Sequence, residues 1–172
     1  MAYLPLDKYT RRKLTNFIVV HCAATKPEQD VGADEIRKWH LARGFSDIGY
    51  HYVIRRNGVR ELGRPTWAVG AQVEGYNYES VGVCLVGGVN DEGQPADNFT
   101  TEQMITLGAT IHGLLIEYPG AVIRGHHDMP AAPDATVEQI LDHHLHCVEK
   151  ACPSFDAIAW WAPAQAALDK KV

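Results

Sequence analysis

The sequence lacks any apolar run approaching the roughly 20 residues that a helix needs to cross a bilayer, so membrane insertion is not expected. It lacks a surplus of basic charge. Its 16 Lys and Arg stand against 21 Asp and Glu, a net charge of −5, and this argues against a polyanionic partner such as nucleic acid. Cysteine is scarce: Cys22, Cys84, Cys147 and Cys152 are too few to staple a chain of 172 residues and are expected as free thiols or ligands. Residues 1–16 place their basic cluster after an apolar start and have no apolar h-region, so no signal peptide is expected and synthesis is assigned to a reducing cytoplasm. Internal repeats and low-complexity tracts are also missing. What is left is one ordinary domain, whose 46% apolar residues suffice for a core.

What is present alternates between strand and helix patterns. Residues 1–15 are polar and irregular and read as an N-terminal arm, with the folded domain over 16–172. Phe17-Ile18-Val19-Val20 is an unbroken apolar run of the kind that fills a strand buried on both faces, and Val81 to Val86 is a second. Residues 32–43 have a helical pattern with Ile36, Trp39 and Ala42 as the apolar stripe, acidic residues in the first turn and Gly44 as the stop. Tyr50 to Arg56 and Val59 to Leu62 read as a hairpin around a two-residue Asn57-Gly58 turn. Thr100-x-x-Gln103 has the form of a capping box opening a helix with Met104, Leu107, Ile111, Leu114 and Leu115 on its stripe. Ala121 to Arg124 is a short strand, a helix is expected within 134–148, and Phe155 to Leu168 is a final amphipathic helix. The fold class is therefore α/β, a single domain with a mixed central β-sheet flanked by helices.

The chemistry gathers at three places. His21 ends the first strand, His126 follows the short strand at Gly125, and Cys152 sits in the loop Lys150-Ala151-Cys152-Pro153-Ser154. Two imidazoles and a thiolate suit zinc, which takes nitrogen and sulfur donors in tetrahedral geometry and keeps a fourth position for water when catalytic. Taken singly, each has a plainer reading. A histidine at a strand end is more often a satisfied polar residue, and a cysteine is more often a small buried hydrophobe.

The blocks VHCAATKP, IRKWH, GYHYVIRRNG, GYNYESVGVCLVGG and KACPSFD come in one order over about residues 16–162. In that order they resemble the zinc-dependent N-acetylmuramoyl-L-alanine amidases, above all the small phage amidases of the T-seven lysozyme type, and more distantly the peptidoglycan-recognition proteins. The resemblance implies one zinc per chain on His21, His126 and Cys152, with Tyr50 and Lys150 as catalytic residues. It implies a phage endolysin, a monomer made in the host cytoplasm and acting on bacterial peptidoglycan in the cell wall. Zinc-activated water would attack the amide between N-acetylmuramate and L-alanine, with Lys150 and Tyr50 available to the oxyanion or the leaving amine. Some phage members also bind the phage RNA polymerase, a partner for which residues 1–15 offer no clear match.

Two departures stand out. Residues 131–149 form an insertion between the second histidine and the cysteine, and within it His143, His146 and Cys147 offer a rival donor set. The phage pattern also carries a histidine where this chain reads Val69-Gly70-Ala71-Gln72, which removes an expected contact in the substrate groove. His127 is a rival to His126. Trp67, Tyr76 and Asn77 are candidates for the groove wall, Cys22 and Cys84 are expected in the core, and His40, His51 and His112 receive no role.

Overall fold

The computed structural model describes residues 4–130, 136 and 151–170. Five strands, β1 Phe17–Cys22, β2 Tyr52–Ile54, β3 Arg60–Leu62, β4 Ser80–Leu85 and β5 Val122–Gly125, form one sheet in the order β3-β2-β4-β1-β5. β1 runs parallel to both β4 and β5, β2 runs parallel to β4, and β3 closes the sheet antiparallel to β2. The mixed α/β sheet read from the sequence is the observed one. β4 is buried at all six positions, as a central parallel strand covered on both faces must be.

The two sheet faces have different coverings. Ile18, Val20, Ile54, Val81, Val83 and Leu85 face the helices α2, Thr101–Glu117, and α3, Ala157–Asp169, meeting Leu107, Ile111, Leu114, Ala157 and Trp161. On the opposite face, Val53 and Cys84 pack with Ile48 and with Ala33 and Ile36 of α1, Ala33–Ala42. His21 belongs to this second face, next along the strand from Val20, because successive strand side chains alternate.

Gln103 shows how the capping box is used. Its amide N–H is accepted by Thr100 Oγ1 at 3.1 Å while its Oε1 accepts from Thr100 N–H at 3.1 Å, as the sequence predicts. The same side chain is fully buried and donates from Nε2 to the carbonyls of Ile54 and Val86, at 3.1 and 2.8 Å. The cap therefore also ties α2 to the ends of β2 and β4.

The structure corrects the sequence reading in two places. The buried face of α1 is Ala33, Ile36, Arg37 and His40, whereas Trp39 is 42% exposed and Ala42 lies on the surface. Arg37 is buried because Asp47 and Asp34 pair with its guanidinium at 2.6 and 2.8 Å, which offsets the desolvation of the charge. The hairpin turn is also displaced. Gly58 N–H donates to the Arg55 carbonyl at 2.9 Å, so Arg56 and Asn57 are the central residues and Gly58, at φ 79°, is the left-handed residue that follows. Residues 4–15, polar as they are, are stitched to the body. Arg12 is buried and donates to the Ala68 carbonyl at 2.8 Å, Val69 N–H donates to the Thr10 carbonyl at 2.8 Å, and the Tyr9 hydroxyl donates to Asp47.

Replacing Gln103 by Ala should cost about 2–4 kcal/mol, because the Ile54 and Val86 carbonyls each lose one of their donors and the Thr100 N–H loses its acceptor at the same time. The neighbouring surface change Glu102→Ala should cost less than about 0.5 kcal/mol. Urea unfolding of both variants is the measurement, and a cost below about 1 kcal/mol for Gln103→Ala would contradict this account of the cap.

Candidate metal centre

Strand register assembles the site. β1 and β5 are paired up to Val20 and Gly125, so the next residues, His21 and His126, emerge side by side with ring centroids 4.6 Å apart. Cys152 reaches them from the segment before α3. Its carbonyl accepts from His127 N–H at 2.9 Å and lies 2.8 Å from His127 Nδ1, and its Sγ accepts from Cys22 N–H at 3.3 Å. Gly125 permits this approach, since a β-carbon there would stand 2.8 Å from Pro153 Cδ.

The donor atoms of His21, His126 and Cys152 all lie within 4.8 Å of one another, with Cys152 Sγ 3.9 Å from His21 Nδ1. A tetrahedral zinc with its usual bond lengths separates its ligand atoms by about 3.3–3.6 Å, so a small contraction would close this group on the ion. The three residues singled out in the sequence are thus brought together, and among the described residues no other His, Cys, Asp and Glu group has this geometry. His127 is engaged elsewhere, with Nε2 3.0 Å from Asp128 Oδ1. Lys150, His143, His146 and Cys147 lie outside the described residues, as does the 131–149 insertion apart from Thr136.

Electrostatics favour metal ligation. Burial, then the neighbouring His126, push His21 well below the ordinary histidine range, so the ring is neutral and offers a lone pair. A hydrogen bond between the Cys22 and Cys152 thiols lets one of them ionise easily: Cys22 is lowered to about 7 while Cys152 is held well up. A cation held by His21, His126 and Cys152 would reverse that preference, because a sulfur ligand must be a thiolate.

Tyr50 stands against the cluster, its ring centroid 5.0 Å from His21 and 5.3 Å from His40. Burial raises its phenol well above the ordinary range, so it is a neutral O–H donor. Its backbone is fixed by Gly49, whose N–H donates to His40 Nδ1 at 2.9 Å and whose absent side chain leaves room for the Ala71 carbonyl. His51, the residue after Tyr50, accepts from Gly82 N–H at 2.9 Å on Nδ1 and places Nε2 3.0 Å from the Ala68 carbonyl. The sequence reading gave His40 and His51 no role; both brace the tyrosine. Their signal in the sequence was only that they flank it, one in a helix and one beside it.

Other expectations change. Tyr76 is buried edge-on to Phe17 with centroids 5.6 Å apart, and Asn77 Oδ1 accepts the backbone N–H groups of Gln72 and Val73 at 2.7 and 3.0 Å. Both shape the loop from within. Trp67 meets Tyr9 at 6.2 Å and carries the Arg11 guanidinium 4.8 Å from its ring centroid. Gln72, noted in the sequence only for not being a histidine, has its Oε1 on His21 Nε2.

A family model described as N-acetylmuramoyl-L-alanine amidase matches residues 10–154. The endolysin of Escherichia phage T7 is 46% identical over 154 residues, covering 90% of each chain, and the endolysin of Klebsiella phage KP32 is 47% identical with the same coverage. Among solved structures, the N-acetylmuramoyl-L-alanine amidase LysC from Clostridium intestinale matches with TM-score 0.69 at 24% identity, covering 96% of this chain and 95% of its own. The last likeness supports the fold alone.

Two outcomes are expected. Cys152→Ala and His126→Ala should each abolish metal retention measured by elemental analysis after dialysis, and a variant that keeps a full equivalent would remove its residue from the ligand set. Burial also lowers His51 to about 3 and His40 to about 4. Their folded pKa values lie below the unfolded value, so the unfolded state takes up protons first as pH falls. The stability these neutral rings contribute is complete above about pH 6.5 and is lost progressively towards pH 4. Urea midpoints of metal-free protein should therefore drop between pH 6.5 and 4.5, and a flat profile would contradict the neutral assignment.

Proposed function

This chain belongs to the N-acetylmuramoyl-L-alanine amidase family, and from that premise we propose that it is a zinc endolysin that opens bacterial peptidoglycan during phage host lysis. The bond cut is the amide between the lactyl group of N-acetylmuramate and L-alanine. One observation carries the reading: two imidazole nitrogens and a thiol sulfur lie within 4.8 Å of one another, with the Tyr50 phenol packed against them.

A zinc ion held by His21, His126 and Cys152, one per chain, would supply Lewis acidity and a water acidic enough to attack an amide near neutral pH. The protein's own groups do the rest. His21 is neutral and buried, so it presents a lone pair without a competing proton. Tyr50 keeps its proton and donates a hydrogen bond where negative charge develops on the amide oxygen. Lys150, two residues before Cys152, is proposed as the second group, a cation for the oxyanion or a proton source for the departing amine. Cys22 N–H steadies the Cys152 sulfur, which is both ligand and anchor of the loop.

No helix among the described residues is long and apolar enough to cross a membrane, and the place of action proposed is the cell wall.

Incubation with purified peptidoglycan should release new L-alanine amino termini. Tyr50→Phe and Lys150→Ala should keep fold and zinc yet lose about a hundredfold in rate, the usual scale for removing an oxyanion donor or an acid–base group. Wild-type protein that binds the wall without producing new amino termini would identify a recognition module instead. Near-normal rates in either variant would remove that residue from catalysis.

A further inference from the structure

Gln72 occupies the position of the histidine that the phage pattern leads one to expect, and its surroundings give it a defined polarity. The Tyr76 carbonyl accepts from the Ser80 hydroxyl at 2.7 Å, which commits the Ser80 proton. Ser80 Oγ is then an acceptor for Gln72 Nε2, 2.6 Å away. That fixes which end of the amide is nitrogen, so Oε1 faces His21 Nε2. A carbonyl oxygen can only accept, and His21 Nε2 must therefore carry the ring proton. His21 Nδ1 is left with the lone pair, on the side of the ring that lies 3.9 Å from Cys152 Sγ.

We infer that Gln72 is a positioning residue for His21: through the chain Tyr76 carbonyl, Ser80 hydroxyl and Gln72 amide it locks the imidazole as the Nε2–H tautomer, with Nδ1 free for the metal. The loop is built to hold it. Asn77 Oδ1 secures the Gln72 backbone, and the side chain lies on Gly82 of β4, where a β-carbon would stand 2.9 Å from Gln72 Cδ. A partner on the far nitrogen of a ligating histidine orients the ring and sustains its basicity, and losing such a partner commonly costs 10–100-fold in metal affinity. The inference rests on the metal reading given above, but its first test does not need the metal.

Long-range nitrogen–proton NMR of metal-free protein at pH 7 should show His21 as a single Nε2–H tautomer. Gln72→Leu, which cannot accept, should give a mixture of tautomers, and its zinc affinity in chelator competition should fall about 10–100-fold. Gln72→Glu keeps an acceptor oxygen for His21, and Ser80 can turn its proton to the other carboxylate oxygen because the Tyr76 carbonyl keeps the Glu79 N–H, so the tautomer and an affinity close to wild type should both hold. Metal-free circular dichroism and melting of both variants establish that each is folded. A wild-type His21 protonated on Nδ1 overturns the inference, as does a folded Gln72→Leu that retains wild-type zinc affinity. Equal weakening of zinc by the Leu and Glu variants also overturns it, because the loop's packing alone would then matter. Wild-type protein that binds no zinc would sink the metal reading, while the tautomer would still be read in the same sample.

Discussion

The parallel pairing of β1 with β5 is the constraint on which the site depends. Four register pairs, from Phe17 with Val122 to Val20 with Gly125, fix where both strands end relative to each other. His21 and His126 are the next residues on each side, so the two imidazoles meet without either needing a specific attraction for the other. A shift by one residue would carry His21 to the opposite sheet face, where α2 and α3 pack, and no compensating side-chain motion could restore the pair. The third member of the group, Cys152, is added to this platform by hydrogen bonds from backbone N–H groups to its sulfur and its carbonyl. The carbonyl of Cys152 rests on His127 and its sulfur on the Cys22 amide, and these residues directly follow His126 and His21. The platform thus holds the loop by the residues that follow its own histidines.

Around that platform several polar side chains are buried with partners. His40 and His51 each accept a backbone N–H, Gln103 binds the carbonyls of Ile54 and Val86, and Arg37 meets two carboxylates. Leaving one such buried group without its partner costs about 1–3 kcal/mol, comparable with burying a whole aliphatic side chain. These groups therefore select one arrangement sharply. His40 and His51 set the backbone around Tyr50, whose position would matter to within a fraction of an ångström in the role proposed for it.

Much of this was legible in the sequence, and the rest failed for a common reason. The apolar runs of β1 and β4 and the Thr100–Gln103 cap depend on local pattern, and they appear where pattern places them. The three-residue ligand set came from the resemblance, and the register shown by the structure explains how residues so distant in sequence converge. Trp39 was assigned to the core because periodicity counts apolar residues, whereas Arg37 and His40 took the buried face because each had a partner waiting. The Asn57-Gly58 pair was correctly read as a turn but placed one residue late, since the dipeptide fits two turn geometries and only the strand register chooses. The polar arm could not be read as attached, because its attachments are backbone bonds to Trp67 and Val69, an ion–dipole contact from Arg12 to the Ala68 carbonyl and the Tyr9 hydroxyl on Asp47. Hydropathy carries no signal for such contacts.

Gln72 shows what is gained when a departure from a familiar pattern is examined as chemistry. A histidine at this position would have two tautomers and a charged form within the physiological range, and each would present a different face to His21. A carboxamide has one polarity once its nitrogen is committed to Ser80, and it does not titrate. With a fixed acceptor on Nε2 the ring proton of His21 has one low-energy home. The electron pair on Nδ1 is then available at every pH at which the ring itself is neutral. The substitution exchanges an adjustable partner for a constant one. The ordering cost of the side chain is met by the Asn77 turn and the Gly82 surface beneath it.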